Sequence, residues 1–445
     1  MKLKTKQHQL IKSFNQPDTY LVVSRWPSKQ GVHYDGIASY TKDIVTMLAK
    51  LSHQKFVVLA EKTQLDPTIE LVNKHILIIR VFDTKKHSIF PVIVKWLWRF
   101  SAMDTVYIHS EFCASGGIGQ RALVLPFVAL IKLMRKSVVF YAHNIVSNLN
   151  GLGDHLNVNP GSIKFNLLTF GLNAYYTLLG LLVDRFVVLE ETVKNKLKKF
   201  VKNTPILVQP HWINIAKPKY SSKKSKQLLG FKAKDKLIVS FGFITPYKGA
   251  HNIAKLAVRA IGNNKLKNHT FILAGGNTSY SVASHYQKDY YQNINLQAKN
   301  QENLVVTGFL NEKDIGLWFQ AADAIVFPYQ ALMGGSGALQ QAIRFSKPIL
   351  VSQPFYQGHK DWLKPYMNKL GIRKSEVCYG RSVAKLEKFV EKFATSKVWQ
   401  NKITKLVKLL AKDRDAGVLV TDHYLKVYSD NQPKSLRLDT KKALA

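Results

Sequence analysis

The sequence has few acidic residues and very little cysteine. Its 445 residues include 65 Lys and Arg but only 28 Asp and Glu, which leaves a net charge of +37. An excess of this size predicts attraction to polyanions, either nucleic acid, an anionic membrane surface or phosphorylated small molecules. Cys113 and Cys378 are too few and too far apart for a disulfide framework or a metal-ligand spacing, so we expect a reducing cytoplasm.

Several familiar motifs are also missing. The chain contains neither the G-x-G-x-x-G dinucleotide fingerprint nor the G-x-x-x-x-G-K-[ST] phosphate loop. The loops that follow the predicted strands carry no Asp-x-Asp pair, so no metal ion is expected. The N-terminal "MKLKTKQHQLIKSF" is basic but lacks an apolar signal core, so we expect no secretory signal.

Short apolar runs alternate with helical patterns along the whole chain. The runs are rich in Val, Ile, Phe and Tyr and alternate little with polar residues, which is typical of strands buried on both faces. Helical segments between them predict βα repeats and doubly wound parallel sheets. The strand candidates are 19–26, 55–61, 75–81, 104–110, 137–144, 184–190, 205–210, 236–244, 269–276, 303–310, 323–329, 347–352 and 376–380.

The pattern divides the chain after Pro210, where a polar basic loop, "KPKYSSKKSK" (217–226), precedes the second set of strands. We therefore predict two α/β, doubly wound, Rossmann-like domains that face a central cleft. The predicted parts are a first domain over 1–210, a second domain over 211–412, a C-terminal helix over 413–430 and a loose tail over 431–445.

Chemistry in such folds is expected in the loops that follow the strands. In the first domain, Gly36 stands between the first strand and the first helix, where glycine lets backbone N–H groups approach an anion. His143 ends the strand "VVFYAHN" and can hydrogen-bond a substrate hydroxyl or serve only a structural role. His109, Ser110 and Glu111 end the preceding strand in the same way and are candidates for the same crevice.

The second domain has two loops that favour an anion. "SFGFITPYKGAHN" places a lysine and a glycine at the beginning of a helix. "MGGSGALQQ" opens another helix with three glycines and a serine. Helix N-termini present unpaired N–H groups, so two of them predict a nucleotide-diphosphate ligand. The candidate phosphate-binding residues of the two loops are Gly242, Thr245, Lys248, Gly249, Gly334, Gly335, Ser336 and Gly337.

Taken in order, these segments resemble the retaining glycosyltransferases of family 4, which have the two-domain GT-B fold. The resemblance rests on "DGIASYT", "VVFYAHNI", "DRFVVLEETVKNKL", "VQPHWINI", "SFGFITPYKG", "FILAGG", "VVTGFL" and "DIGLWFQAADAIVFPY". It implies that Gly36 faces the donor diphosphate, that His143 contacts the donor sugar and that Lys248 holds the diphosphate. It also implies that 1–210 is an acceptor-side domain, with His109, Ser110 and Glu111 as candidates there, and that 211–412 binds a nucleotide sugar. The segment 413–430 would be a crossover helix that packs on the first domain. The expected donor-binding residues are those of the two loops together with Gly36, Met333 and Gln341. His143 and Lys248 are accordingly the expected catalytic residues.

Two departures from the family pattern bear on activity. The arginine that usually precedes the lysine is absent from "GFITPYKG". The family's Glu-x7-Glu pair falls on Met333 and Gln341. An amide at Gln341 can still bond ribose hydroxyls, but Met333 cannot accept a bond from the transferred sugar. Either Gln330 or Glu111 takes that role, or the sugar is bound differently, or catalysis is lost.

The resemblance therefore implies transfer of a hexose-type sugar from a nucleotide-diphosphate donor to a glycan or lipid-linked acceptor. No metal or other cofactor is expected. The alternatives are an inactive homologue that binds a nucleotide sugar or glycan and, less favoured because no nucleic-acid module is visible, a basic nucleic-acid-binding protein.

Two apolar stretches have features of helices that lie on or cross a membrane. Residues 85–100 combine Trp and Phe with Lys and Arg, which suits either a helix at a lipid interface or one packed on a sheet. Residues 165–183 approach the length of a membrane span, but Asn166 and Asn173 interrupt them, and a spanning helix is disfavoured. We expect a cytoplasmic protein, with peripheral attachment to the inner face of the membrane as an option.

Overall fold

A computed structural model gives the fold for most of the chain. It describes residues 5–28, 36–63, 66–83, 89–110, 122–146, 159, 161–213, 218–277, 285–331, 335–415, 419, 422–423 and 426–427. The chain divides into two compact units of contacts. The first comprises Met1–Asn148, Ile163–Pro210 and Ala416–Ala445, and the second Leu149–Ser162 and His211–Asp415.

The first unit is built on an eight-stranded sheet in the order β3-β4-β2-β1-β5-β6-β7-β8. Every neighbouring pair is parallel except β3 with β4. The central strands are buried along their length, which explains their continuous apolar runs. The strands are β1 (Tyr20–Val23), β2 (Phe56–Glu61), β3 (Ile69–Asn73), β4 (Ile76–Phe82), β5 (Thr105–Ser110), β6 (Ser137–Ala142), β7 (Arg185–Val188) and β8 (Ile206–Val208).

Helices connect these strands. They are α1 (Thr5–Phe14), α2 (Gly36–Ser52), α3 (Ile89–Arg99), α4 (Val124–Leu133), α5 (Ile163–Leu182) and α6 (Glu191–Leu197). In the stretch 85–100, α3 packs on β4 through Ile93, Trp96 and Leu97, which are buried. Trp98 on the same helix is 68% exposed, so packing on the sheet uses only one side of this helix.

The antiparallel edge strand β3 was not predicted, and the expectation of a fully parallel sheet was wrong at this edge. β3 has the sequence IELVN, and its last three residues are exposed. An edge strand with one partner does not need the apolar run that identifies a strand buried on both faces.

The second unit has a six-stranded sheet in the order β11-β10-β9-β12-β13-β14, with every neighbouring pair parallel. This is the strand order of a dinucleotide-binding Rossmann sheet, in which the order reverses between the first and the fourth strands. The strands are β9 (Lys236–Phe241), β10 (His269–Ala274), β11 (Leu304–Val306), β12 (Ala324–Phe327), β13 (Ile349–Ser352) and β14 (Cys378–Tyr379).

Helices on this sheet bury apolar side chains against it. They are α7 (Ser222–Leu228), α8 (Ala250–Ile261), α9 (His285–Lys299), α10 (Glu312–Ala321), α11 (Gly337–Arg344), α12 (Gln353–Lys369), α13 (Val383–Thr395) and α14 (Lys397–Asp413), with 3-10 turns at Pro246–Lys248, Asn264–Leu266 and Lys374–Glu376. Ser382 and Ser396 cap α13 and α14 by accepting bonds from backbone N–H groups.

Only part of the predicted crossover helix can be compared with the structure. α14 ends at Asp413, and beyond Asp415 five residues are described. Three of them contact the first unit: the carbonyl of Leu419 accepts from Gln209, the carbonyl of Lys426 accepts from Arg185, and His423 bonds Tyr141. The rest of 413–430 and the whole predicted tail, 431–445, lie outside the described residues.

Candidate functional site

The strongest candidate site lies in the second unit, where the strand order reverses between β9 and β12. The loops after these two strands touch each other directly. Gln330 N–H donates to the carbonyl of Tyr247 at 2.7 Å. A Cβ on Gly249 would lie 2.0 Å from the carbonyl oxygen of Pro328. In doubly wound sheets, ligands bind at the carboxyl ends of the strands at this reversal point.

Backbone geometry explains the glycines of the β9 loop. Gly242 has φ of 119° and Gly249 has φ of 77°, a region that side-chain-bearing residues rarely adopt. Gly275, after β10, needs to be a glycine for another reason, because its Cβ would lie 2.1 Å from the carbonyl oxygen of Gly242. Sequence reasoning did not assign Gly275 a role, although "AGG" at a strand end is a signal for such a close approach.

Lys248 brings its charge to this point. Its Nζ lies 2.7 Å from where a Cβ on Gly242 would stand, so the side chain folds back over the end of β9. The ammonium also faces the rings of Phe243 and Tyr329, at 5.8 and 6.0 Å from their centroids. Within the described part of the chain, Lys248 forms no ion pair. A half-buried cation without a carboxylate partner is suited to bind an anion.

Thr245 lies one turn before Lys248. Its hydroxyl is buried and has no hydrogen-bond partner among the described residues, while its carbonyl accepts from Lys248 N–H. An unpaired buried hydroxyl lowers stability unless a ligand completes it. Thr245 therefore adds a polar group that a bound ligand can use.

The β12 loop leads into the second helix N-terminus. Ser336 caps α11, because its Oγ accepts from Leu339 N–H at 3.2 Å. None of the described residues lies within 4 Å of a Cβ built on Gly337. The remaining N–H groups of that turn are available to an anion. Gly335 is described as well, whereas Met333 and Gly334 lie outside the described residues.

Two glutamines follow on α11. Gln341, which the sequence singled out, is half-buried. Its neighbour Gln340 is 9% exposed, and both atoms of its amide lack a partner within the described ranges. Sequence reasoning missed Gln340, because adjacent glutamines on a helix do not reveal which of them is buried.

The first unit has its own reversal point between β1 and β5. Gly36 is the first residue of α2 and is exposed, with nothing within 4 Å of a built Cβ. Buried Arg80 donates to the carbonyls of Trp26 and Pro27 at 3.1 and 2.9 Å, which fixes the chain after β1. It also lies 3.4 Å from Asp66. Burial lowers the pKa of Arg80 from its ordinary value, and Asp66 opposes that shift.

His109, near the end of β5, and His143, directly after β6, lie close together. Their ring centroids are 5.5 Å apart, and Tyr40 of α2 contacts both. Nδ1 of His109 is 3.4 Å from the hydroxyl of Thr41, and its Nε2 has no partner among the described residues. Ser110 follows directly, whereas Glu111 lies outside the described residues.

Burial keeps His109 neutral, and Tyr141, which contacts His423, packs against it. Burial, followed by the nearby His143 and His423, lowers the pKa of His109 well below its usual value. Tyr141 stacks on His109 at 4.1 Å and bonds Nε2 of His423 at 2.9 Å. Burial lowers the pKa of His423 to about 3. Neutral imidazoles can donate and accept hydrogen bonds to sugar hydroxyls without adding charge.

Among the described residues, no three His, Cys, Asp or Glu side chains come together as metal ligands. The sequence does contain an Asp-x-Asp, Asp413-Arg414-Asp415, at the end of α14. Asp413 accepts from the indole of Trp362 at 2.9 Å and lies 3.7 Å from Arg414, so its contacts are those of a structural residue.

Comparison with known proteins agrees with this fold. Residues 221–405 match the family "Glycosyl transferases group 1". No curated protein sequence matches the chain significantly. The matched segment lies entirely within the second unit and contains both candidate anion-binding loops.

Solved structures resemble the whole chain at low identity. Sucrose-phosphate synthase from Thermosynechococcus elongatus aligns with a TM-score of 0.67 and 12% identity over 93% of this chain and 100% of that chain. Anabaena Alr3699/HepE, solved with UDP-glucose, gives 0.65 and 15% over 93% and 99%. WaaG, a glycosyltransferase involved in lipopolysaccharide biosynthesis, gives 0.61 and 13% over 92% and 100%.

These matches identify the class of fold. The predicted architecture of two Rossmann-like α/β domains is confirmed, and it is the GT-B fold of glycosyltransferases. The likeness in the second unit extends to the sequence of the group 1 glycosyl transferases. Membership of family 4 and the roles of the individual site residues stay predictions.

Proposed function

We propose that this protein is a retaining, family 4-like glycosyltransferase that moves a hexose-type sugar from a nucleotide-diphosphate donor to a glycan or lipid-linked acceptor. The observation that carries the proposal is the position of Lys248, a cation with no ion-pair partner among the described residues, folded over Gly242 where the sheet order reverses. The Alr3699/HepE structures with UDP and with UDP-glucose support a nucleotide-sugar donor.

The proposed chemistry is electrostatic. As the glycosidic bond breaks, the leaving diphosphate gains negative charge. Lys248, the N–H groups at the beginning of α11 and the hydroxyl of Thr245 stabilise that charge, since fixed donors aimed at developing charge lower the barrier most effectively. With these groups in place, the transfer needs no divalent metal. Gln341 bonds the ribose hydroxyls of the donor through its amide.

The first unit supplies the other half of the reaction. In this proposal His143 bonds a hydroxyl of the transferred sugar, and Gly36 leaves backbone N–H groups accessible at the beginning of α2. The acceptor is bound on the side of His109, Ser110 and Glu111. Each of these roles is tested by the effect of substitution on turnover rather than on stability.

The test is a panel of UDP-, GDP-, ADP- and dTDP-hexoses incubated with the protein, with release of free nucleoside diphosphate as the readout. We expect one donor to be consumed by the wild type. Lys248→Met should abolish that turnover, whereas Lys255→Met, the same change at an exposed position of α8, should not. Equal turnover by the two variants would remove Lys248 from the mechanism.

A second candidate is an inactive homologue that binds a nucleotide sugar or glycan. It is favoured by Met333 and Gln341, which stand where the family carries two glutamates. Binding of a nucleotide sugar without transfer or hydrolysis of any donor in the panel would support it and would contradict the catalytic proposal.

A further inference from the structure

Helix α5 of the first unit is apolar on two opposite sides, and only one of them is covered. On the covered side, Leu172, Tyr176 and Leu179 are buried. Tyr176 accepts a bond from Val146 N–H at 3.2 Å. A Cβ on Gly180 would lie 2.8 Å from a methyl of Val201. This side of α5 is therefore fixed to the unit.

The other side exposes a row of large apolar side chains. Ile163, Leu167, Phe170, Leu178 and Leu181 are 86, 71, 73, 49 and 76% exposed. Their spacing of 4, 3, 8 and 3 residues places them on one stripe of a 3.6-residue helix. The stripe runs along all 20 residues of α5, about 30 Å. Soluble proteins seldom leave a continuous apolar patch of this length in water.

The neighbouring helices also expose large apolar side chains. α4 contacts both α3 and α5. It exposes Leu130 and Leu133, one turn apart, and α3 exposes Trp98. We call the exposed apolar residues of α3, α4 and α5 the α5 face. A tryptophan at its margin suits a lipid interface, where an amphipathic ring is stabilised.

Charge indicates what covers the α5 face. The sequences of α3, α4 and α5 contain no Asp or Glu. Lys132 of α4 is paired with Asp184 at 2.7 Å, which leaves Lys95, Arg99 and Lys164 as the positive charges of these helices. The whole chain carries +37. A second copy of this chain would bring like charge to the same face. An anionic bilayer supplies both an apolar interior and the opposite charge.

We propose that the α5 face is a docking surface for an anionic lipid bilayer, with α5 lying in the plane of the membrane and its stripe immersed at the interface. By length and composition α5 could cross a membrane. Its covered side argues for the flat orientation, because spanning would require Tyr176 and Leu179 to leave their buried contacts. In this proposal α5 joins the stretch 85–100, whose sequence also suits a helix at a lipid interface. Membrane binding by α5 does not depend on the proposed transferase activity.

The test is co-sedimentation with vesicles of phosphatidylcholine alone or mixed with phosphatidylglycerol. We expect binding to the mixed vesicles, weakened by salt because exposed charges are screened. A stripe variant, Leu167→Gln with Phe170→Gln, should bind them at least about tenfold more weakly, since each large side chain contributes to apolar burial. Lys95→Gln with Lys164→Gln should lower affinity by about fivefold for each charge removed.

The matched control changes two exposed apolar residues elsewhere, Val258→Gln with Ile261→Gln on α8 (50 and 69% exposed). This control should bind vesicles like the wild type, and all variants should unfold at the wild-type temperature. The proposal is overturned if the wild type does not bind anionic vesicles, or if the stripe and control variants bind equally. It is also overturned if sedimentation shows a dimer that only the stripe variant dissociates.

Discussion

Gly249 follows Lys248, the proposed diphosphate ligand, and lies against Pro328 at the end of β12. Replacing Gly249 by alanine tests whether this contact positions Lys248. At φ of 77°, a side chain costs about 1–2 kcal/mol. The methyl group would also stand 2.0 Å from the carbonyl oxygen of Pro328 and 3.3 Å from Nε2 of Gln330. The loop must therefore move by more than about 1 Å, and overpacking of this kind costs about 1–3 kcal/mol.

Together these terms predict a loss of about 2–5 kcal/mol in the free energy of unfolding of the second unit. Lys248 precedes Gly249 directly, so the movement also displaces the ammonium. A misplacement of about 1 Å can reduce catalysis by about 100-fold, and we expect turnover of the donor to fall accordingly.

The control is Gly230→Ala. Gly230 lies in the same unit with φ of 83°, and nothing is within 4 Å of its built Cβ, so this variant isolates the backbone cost. Urea denaturation measures stability, and nucleotide release measures turnover. If Gly249→Ala is no less stable than Gly230→Ala and turns over donor normally, the close contact with Pro328 does not position Lys248.

Three further predictions concern the second unit. Burial lowers the pKa of Lys347 from 10.5 to about 8. Between these two pH values the unfolded chain binds more protons than the folded chain, so the free energy of unfolding rises with pH. Relative to Lys347→Met, the wild type should gain about 2 kcal/mol between pH 7 and 9.5 in denaturant titrations, and a constant difference would contradict this. Ser336→Ala should cost about 1 kcal/mol in the same assay by removing the cap of α11, and Ser336→Asp should restore it; no loss in the alanine variant would show that the cap is unimportant. Gln341→Ala should weaken nucleotide affinity by up to about tenfold in calorimetry, the contribution of one neutral hydrogen bond, whereas a variant that binds like the wild type would exclude the ribose contact.

The fold was predictable because most strands are buried on both faces. Such strands need continuous apolar residues, and "KLIVSF" or "SVVFYA" can hardly form anything else between helical segments. β3 was not predicted, because it lies at an edge of the sheet and exposes Leu71 and Val72. Burial at the sheet edge depends on which strand becomes the neighbour, and local sequence does not contain that information.

The site was predictable only in part, for a related reason. Lys248 and Gly249 stand out because a lysine and a glycine at a helix start form a local pattern. In the sequence, Arg80 appears only as a charged residue inside an apolar strand. Its partners, the carbonyls of Trp26 and Pro27, are more than fifty residues away. The contact of Tyr141 with His423 joins positions 282 residues apart. Long-range contacts of this kind follow from topology and not from spacing.

The central claim is that the loop after β9 is a diphosphate site, and calorimetry with uridine, guanosine and adenosine diphosphates tests it most directly. We predict that at least one of them binds the wild type and that Lys248→Met lowers its affinity by about 10- to 100-fold, the contribution of a charged hydrogen bond. Lys255→Met should change that affinity less than about twofold, as expected for an exposed charge away from the ligand. Equal affinities of the two variants for the bound nucleotide would contradict the account.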